Sequence, residues 1–353
     1  FNLPRPSEWD IYLDLEGDPL VEPSGREYIL GWYHKENYEI IWAETEELEK
    51  LGFEQFISFA MGIKDEHPEM HIYHFGAYET SAFKRLMGKY ATREDEMDYL
   101  LRSKSFIDLY GIVRHSLRAG VERYSLKDLE KYHGYIRQMD LRTLSVFKAD
   151  YEFLLETNRL EDVGEEMRKV IHLYNEDDCI STKSLQVWLE RERQILIDNG
   201  NDIERPPILP GDPNDKITQH QLRIRPFFDA LMHGVPIKDR DTIQNAQFVL
   251  AHMLDWYRRE KKSFYWEYFR LLDLDESELL DEKSALSFLK FTGERVPDKK
   301  SFIDTYNFPP QECDIKPGND LKMEGIKTKF KVIEIDERQN LIYLRKGPSI
   351  VEL

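Results

Sequence analysis

The sequence predicts an α/β fold, a mixed sheet flanked by helices, followed by a helical connector and a small β element. Three observations predict it. Apolar, β-branched and aromatic runs occupy 9–15, 27–33 and 38–43, and the polar His34-Lys35-Glu36-Asn37 between the last two marks an antiparallel hairpin. Beyond them, helical-period segments alternate with short buried runs at 70–75 and 106–109, the pattern of a sheet covered by helices. A Pro-rich stretch, Arg205-Pro206-Pro207-Ile208-Leu209-Pro210-Gly211-Asp212-Pro213, then separates this region from a second with a different pattern.

In chain order, Trp9-Asp10-Ile11-Tyr12-Leu13-Asp14-Leu15-Glu16 reads as a strand that Gly17 and Pro19 end. From Glu46 to about Met61, Phe53, Phe56, Ile57 and Ala60 fall at helical spacing. Gly76 breaks the strand at 70–75, and a helix begins at Tyr78. Ser125 is placed to cap a helix opening at Leu126, with Asp128 at its third position. A long helical pattern runs from about Val163 to Asp198, with Met167, Ile171, Tyr174, Asp178 and Leu185 near one stripe. After the Pro-rich stretch, helices are expected at 241–262 and 263–280, and strands at 329–335 and 341–344 around a turn at 336–340. The expected organisation is an α/β domain at 1–200, a linker at 201–215, a helical connector at 216–310, and from 311 to 353 the start of a small β-domain. A chain that opens on Phe1 and stops just after a strand is expected to be a segment of something longer.

A length of 353 residues accommodates two or three domains, and 41% hydrophobic with 12% aromatic residues indicates packed cores rather than disorder. The net charge of −18 argues against a chain that coats nucleic acid indiscriminately, because such binding is dominated by phosphate neutralisation. It leaves room for an acidic, metal-filled site with a local basic rim. Two cysteines far apart, Cys179 and Cys313, draw no disulfide framework or zinc site and suit a reducing cytoplasm. No apolar run approaches membrane-spanning length, and no Walker A sequence is present.

The chemistry is carried by acids. Side chains alternate along a strand, so Asp14 and Glu16 share a face while Leu13 and Leu15 point to the other. In most proteins such a pair is a solvated strand face; a divalent ion is the alternative, because close like charges need a counter-ion. Glu79 stands at a helix start just past a strand end, where it either serves the helix dipole or joins a site at the sheet's edge. Tyr174 and Asp178 are four apart on the long helix and share its apolar stripe, so a carboxylate there needs a partner. Asp108 either caps the following helix or joins the site, as a metal ligand or behind the ligands, and His74 is either structural or, being close in sequence to Glu79, stands behind it. His71 and His172 read as structural. Arg114, Arg118, Arg123 and Lys127 form a basic cluster, either a solvated face or a phosphate grip. The aromatic and basic residues from Trp256 to Trp266 either pack two helices together or stack single-stranded bases.

Together these residues resemble the DEDD superfamily of 3′-to-5′ exonucleases, ribonuclease-H-like in fold, in the form whose third motif carries a tyrosine. Asp14-Leu15-Glu16 matches the first motif, Tyr73 to Glu79 the second, and Tyr174 to Asp178 the third, over roughly the first 195 residues. One departure is plain: the second motif normally carries Asp, and here Glu79 stands there. More narrowly, Tyr12 to Pro19, His71-Ile72-Tyr73-His74, Tyr124-Ser125-Leu126-Lys127 and Tyr174 to Cys179 are similar to the YprB-like ribonuclease-H domain of RecB-family nuclease and superfamily-1 helicase fusion proteins. The resemblance implies phosphodiester hydrolysis of nucleic acid, DNA in preference to RNA, with two Mg²⁺ or Mn²⁺ ions. Asp14, Glu16, Glu79 and Asp178 would be ligands and Tyr174 would orient the attacking water. It also implies nuclease and helicase domains in the same full-length chain. Competing expectations are a catalytically inactive nucleic-acid-binding or scaffolding module, which Glu79 and the net charge favour, and a nucleotide phosphohydrolase using the same carboxylates.

Overall fold

The computed structural model describes residues 3–348 apart from positions 140, 213–214, 237–238, 273, 324 and 327. Positions 213 and 214 of the linker expected at 201–215, the opening Phe1 and the closing Leu353 lie outside the described residues. The chain divides into two compact units, residues 1–220 and 221–353.

The first unit is built on β1 (Ile11–Asp18), β2 (Arg26–His34) and β3 (Asn37–Trp42). Then follow α1 (Glu46–Glu66), β4 (Ile72–His74), α2 (Tyr78–Tyr90), α3 (Glu94–Arg102) and β5 (Phe106–Asp108). Four more helices close it: α4 (Leu109–Ser116), α5 (Leu126–His133), α6 (Leu141–Glu156) and α7 (Glu165–Asp198). The five-stranded sheet has the order β3-β2-β1-β4-β5. β1 is its centre, antiparallel to β2 and parallel to β4, which makes the sheet mixed as expected.

Local chemistry accounts for the boundaries. The hairpin turn is only Lys35-Glu36, both in the left-handed region at φ 45° and 63°, and Asn37 Nδ2 donates to Lys35 O at 2.9 Å. Thr45 caps α1 by accepting from Leu48 N at 3.3 Å, with Glu46, Glu47 and Glu49 in the first turn. Ser125 caps α5 by accepting from Asp128 N at 3.1 Å. On one face of the sheet, Tyr12 and Tyr73 join Leu109, Ile112, Leu129, Leu185 and Leu189, seating α4, α5 and α7. Towards the sheet's edge, Tyr28 and Ile29 meet Tyr151 and Leu155 of α6 and Ile171 of α7. On the other face, Trp32 and Phe83 pack against Phe56, seating α1 and α2.

The Pro-rich stretch is no free tether over its described part. Arg205 donates to Pro4 O at 2.7 Å and to Glu190 Oε2 at 2.8 Å, and Gly211 lies so close to Tyr99 that a Cβ would stand 2.5 Å from its ring.

Next come α8 (Asp215–Met232), α9 (Thr242–Met253), α10 (Trp256–Leu272) and strands β6 (Lys290–Asp298), β7 (Ser301–Asn307), β8 (Asp320–Leu321), β9 (Phe330–Asp336) and β10 (Leu341–Lys346). These strands form an antiparallel sheet in the order β6-β7-β10-β9-β8, over a core of Phe308, Ile315, Phe330, Val332, Ile342 and Leu344.

Two expectations are corrected here. The break between helices falls at Leu254-Asp255, where Asp255 takes φ 60°, not between Lys262 and Ser263. Strands begin at Lys290, inside the stretch expected to be helical to 310. β6 is an edge strand exposed along almost its whole length, so it lacks the alternation that betrays a half-buried strand. In the aromatic run Trp256 is 47% exposed, Tyr257 75% and Phe264 56%, while Trp266 is half-buried and the side chains of Arg259, Glu260 and Ser263 lie outside the described residues.

Candidate active site

Asp14 and Glu16 leave β1 on the face covered by α7, and α7 brings Asp178 to them. One carboxylate oxygen from each of Asp14, Glu16 and Asp178 lies within 4.8 Å of the other two. Glu16 is 5% and Asp178 7% exposed. Crowding of this kind disfavours ionisation. Burial, reinforced by the charges of Asp178, Glu16 and Glu79, holds the Asp14 carboxyl well above the usual range. Burial likewise pushes the Glu16 carboxyl up to about 7, against the opposing charge of Lys148.

Glu79 lies in the first turn of α2 and is 4% exposed. It is outside the tight trio, although its charge reaches Asp14. Its Oε2 is 3.4 Å from His74 Nδ1 and has no hydrogen-bond partner among the described residues. His74 Nδ1 donates to Gly76 O at 2.7 Å. Burial works against the imidazolium, but Glu79 and Asp108 outweigh it and the His74 pKa is raised. Asp108 caps α4, its Oδ1 accepting from Tyr110 N at 2.8 Å and from Gly76 N at 2.7 Å. It thereby pins the turn that presents Glu79.

Tyr174 accepts a hydrogen bond from Lys127 Nζ at 2.5 Å. Burial, then the charges of Asp178, Glu16 and Asp14, raise the pKa of its hydroxyl, which therefore keeps its proton. Of the basic cluster, Lys127 acts on the acids, its charge opposing the rise at Glu16. Arg118 is exposed and donates to Arg114 O and Leu117 O at the end of α4, and Arg123 is exposed. Arg114 is half-buried.

Several residues at the site were not singled out by their sequence pattern. Asn175 is fully buried; its Nδ2 donates to Asp14 Oδ2 at 2.7 Å, and its Oδ1 accepts from Tyr38 at 2.8 Å. Gly31 faces Asp14 across the β1–β2 pair, and a Cβ there would stand 1.6 Å from Asn175 Oδ1. A glycine inside an apolar strand is the one available signal of such a close approach. Arg137 donates to Asp178 Oδ1 at 2.5 Å, and Lys148 of α6 donates to Glu16 Oε2 at 2.5 Å. Nothing in sequence spacing marks either.

The three consecutive acids of α7 part company. Asp177 is 1% exposed and anchors the 134–139 loop, accepting from Tyr135 at 2.7 Å and from Gln138 N at 3.0 Å. Glu176 meets Gln138 at the surface. Only Asp178 turns into the acidic cluster.

A family model described as RNase H superfamily matches residues 11–190. The chain belongs to the RNase H superfamily. The match begins at the first residue of β1 and ends within α7, so the RNase H superfamily region contains the whole acidic cluster together with Lys127, Arg137 and Lys148. Its mixed sheet with β1 at the centre is the fold expected for such a domain. No curated protein and no solved structure matches the chain. Among the described residues, no helix is long and apolar enough to cross a membrane.

Proposed function

We propose that this RNase H superfamily chain is a metal-dependent nuclease, a 3′-to-5′ exonuclease acting on single-stranded ends by a two-metal mechanism. The observation that carries the reading is the convergence of Asp14, Glu16 and Asp178, from the first strand and the last long helix of the domain, within 4.8 Å. Three carboxylates so placed, two of them buried, suit a hard divalent cation, and the buried Glu79, whose charge reaches Asp14 and whose Oε2 has His74 Nδ1 at 3.4 Å but no hydrogen-bond donor among the described residues, fits a further ligand. Mg²⁺ or Mn²⁺ held there would supply the charge that lowers the pKa of the attacking water and stabilises the leaving oxygen.

The chain's own residues do the rest. Asn175 fixes the Asp14 carboxylate, and Arg137 fixes Asp178. Tyr174 keeps its phenolic proton and is held by Lys127, so it can position a water by hydrogen bonding without acting as a base. Glu79 would complete the ligand set, with His74 and Asp108 behind it. Lys127 is the member of the basic cluster whose charge acts on Glu16, and Arg114, Arg118 and Arg123 are proposed to extend a phosphate path. DNA as the preferred polymer, and nuclease and helicase domains in the same full-length chain, follow from the resemblance to YprB-like domains.

A second reading has its own support. Lys148 and Arg137 already pair two of the three acids, as in a closed structural ion cluster of an inactive nucleic-acid-binding or scaffolding module. End-labelled single-stranded DNA and RNA incubated with Mn²⁺ separate the two. Stepwise shortening from the 3′ end by wild type, abolished by Asp14→Asn and Asp178→Asn, is the expected result. Undiminished cleavage by both variants removes the site assignment, and an inert wild type supports the scaffold.

A further inference from the structure

The two cations on the acidic cluster are held differently. Arg137 bridges Asp178 Oδ1 at 2.5 Å and Glu130 Oε1 at 2.7 Å, its Nε reaches Glu130 Oε2 at 3.1 Å, and its side chain is 7% exposed. It also lies over the Tyr174 ring at 5.6 Å. A planar guanidinium with a second carboxylate in a two-point grip stays where it is. It uses one oxygen of Asp178 and orients the group.

Lys148 has no such anchor. Its Nζ sits 2.5 Å from Glu16 Oε2 and 3.7 Å from Glu152 Oε1, one helical turn further along α6, and its side chain is 32% exposed. Glu16, by contrast, is nearly sealed, with 6% of its side chain exposed. The ammonium therefore occupies the charge position of a divalent ion on Glu16, on a flexible stem with solvent behind it and a second carboxylate within reach. The ammonium takes one of the two Glu16 oxygens and sets a positive charge beside the trio, so a divalent ion arriving there meets a like charge that a flexible stem lets move away.

We propose that Lys148 is an exchange cation. It neutralises Glu16 while the centre carries no divalent ion, yields that carboxylate when the ion binds, and then meets a non-bridging phosphate oxygen of the bound strand. The inference rests on the metal-dependent reading above and extends it. No bond is made or broken; one carboxylate changes its cation and one ammonium its anion. Competition of this kind lowers apparent metal affinity by the fraction of sites that the lysine occupies.

The test compares the full chain with Lys148→Met, which keeps the stem and removes the charge, and with Lys148→Arg and Asp14→Asn. Mn²⁺ is titrated calorimetrically, and thermal unfolding is followed with and without Mn²⁺. Lys148→Met is expected to bind Mn²⁺ roughly three- to tenfold more tightly, the size of a mostly occupied competing state, and to gain more than wild type in melting temperature on adding Mn²⁺. Binding of a fluorescent single-stranded oligonucleotide, read by anisotropy in Ca²⁺, is expected to weaken in Lys148→Met and to be retained in Lys148→Arg. Equal or weaker Mn²⁺ affinity in folded Lys148→Met overturns the proposal. So does a melting temperature lowered equally in both conditions, which marks a purely structural ion pair, and so does unchanged oligonucleotide binding. If wild type and Asp14→Asn take up Mn²⁺ alike, the metal centre itself fails, an outcome distinct from failure of the lysine alone.

Discussion

Asn175 donates to Asp14 at 2.7 Å across a gap in β2 that exists because residue 31 is glycine. The first predicted consequence concerns that pair. In Gly31→Ala the new Cβ would meet Asn175 Oδ1 at 1.6 Å, so α7 or β2 must give way. Overpacking of this kind costs about 1–3 kcal/mol, and it unseats Asp14. Asn175→Ala, which takes the donor from Asp14 Oδ2, is expected to cost about 1.5–3 kcal/mol. Chemical denaturation measures both; a Gly31→Ala protein as stable as wild type would show that the helix has slack there.

Glu16 sets a pH dependence. Its carboxyl is raised from 4.5 to about 7, chiefly by burial, with Asp178 adding to the rise and Lys148 and Lys127 opposing it. Between those values the folded protein holds a proton that the unfolded chain has lost, so stability falls as pH rises. The penalty is complete above about 7. Metal-free protein is therefore expected to melt at lower temperature at pH 8 than at pH 5.5, with a shallower slope in Glu16→Gln. Mn²⁺ affinity should rise over the same window, because the ion competes with that proton. Melting curves in chelator across this range check the first statement; identical slopes for the two proteins would refute it.

The neighbouring acids of α7 should behave differently. Asp177 holds the 134–139 loop through Tyr135 and Gln138, and that loop carries Arg137 to Asp178. Asp177→Ala is expected to cost about 1.5–3 kcal/mol, the range for hydrogen bonds to a charged group. Glu176→Ala, at the surface, should stay within about 0.5 kcal/mol. Denaturant midpoints separate them, and protease sensitivity near residue 137 should rise only in Asp177→Ala.

Tyr174→Phe removes the hydroxyl that Lys127 holds and leaves the ring under Arg137. If Tyr174 orients water in the proposed reaction, kcat should fall by roughly 10- to 100-fold, about 1.4–2.7 kcal/mol, with KM little changed. A variant altered in KM alone would assign the hydroxyl to substrate binding instead.

Much of the first unit could be read from residue pattern. The hairpin 27–43, the Ser125 cap and the long helix to Asp198 all announce themselves locally, because alternation, capping chemistry and helical period are properties of neighbouring residues. α6 and β6 did not. α6 matters for what it brings to Glu16, a contact between positions 132 apart. The exposed edge strand β6 shows no buried face to recognise.

At the site, sequence by itself determined the acids: Asp14 and Glu16 on one face of a strand, and Tyr174 and Asp178 on one face of a helix. Strand and helix periodicity fix those relationships before any folding occurs. Tertiary structure decided which of the acids meet. It brought Asp178 but not Asp177 or Glu176 to β1, left Glu79 beside the trio rather than in it, and set Lys148 and Arg137 on two of the carboxylates. A buried charge has to find a partner, and which partner it finds depends on how distant segments pack.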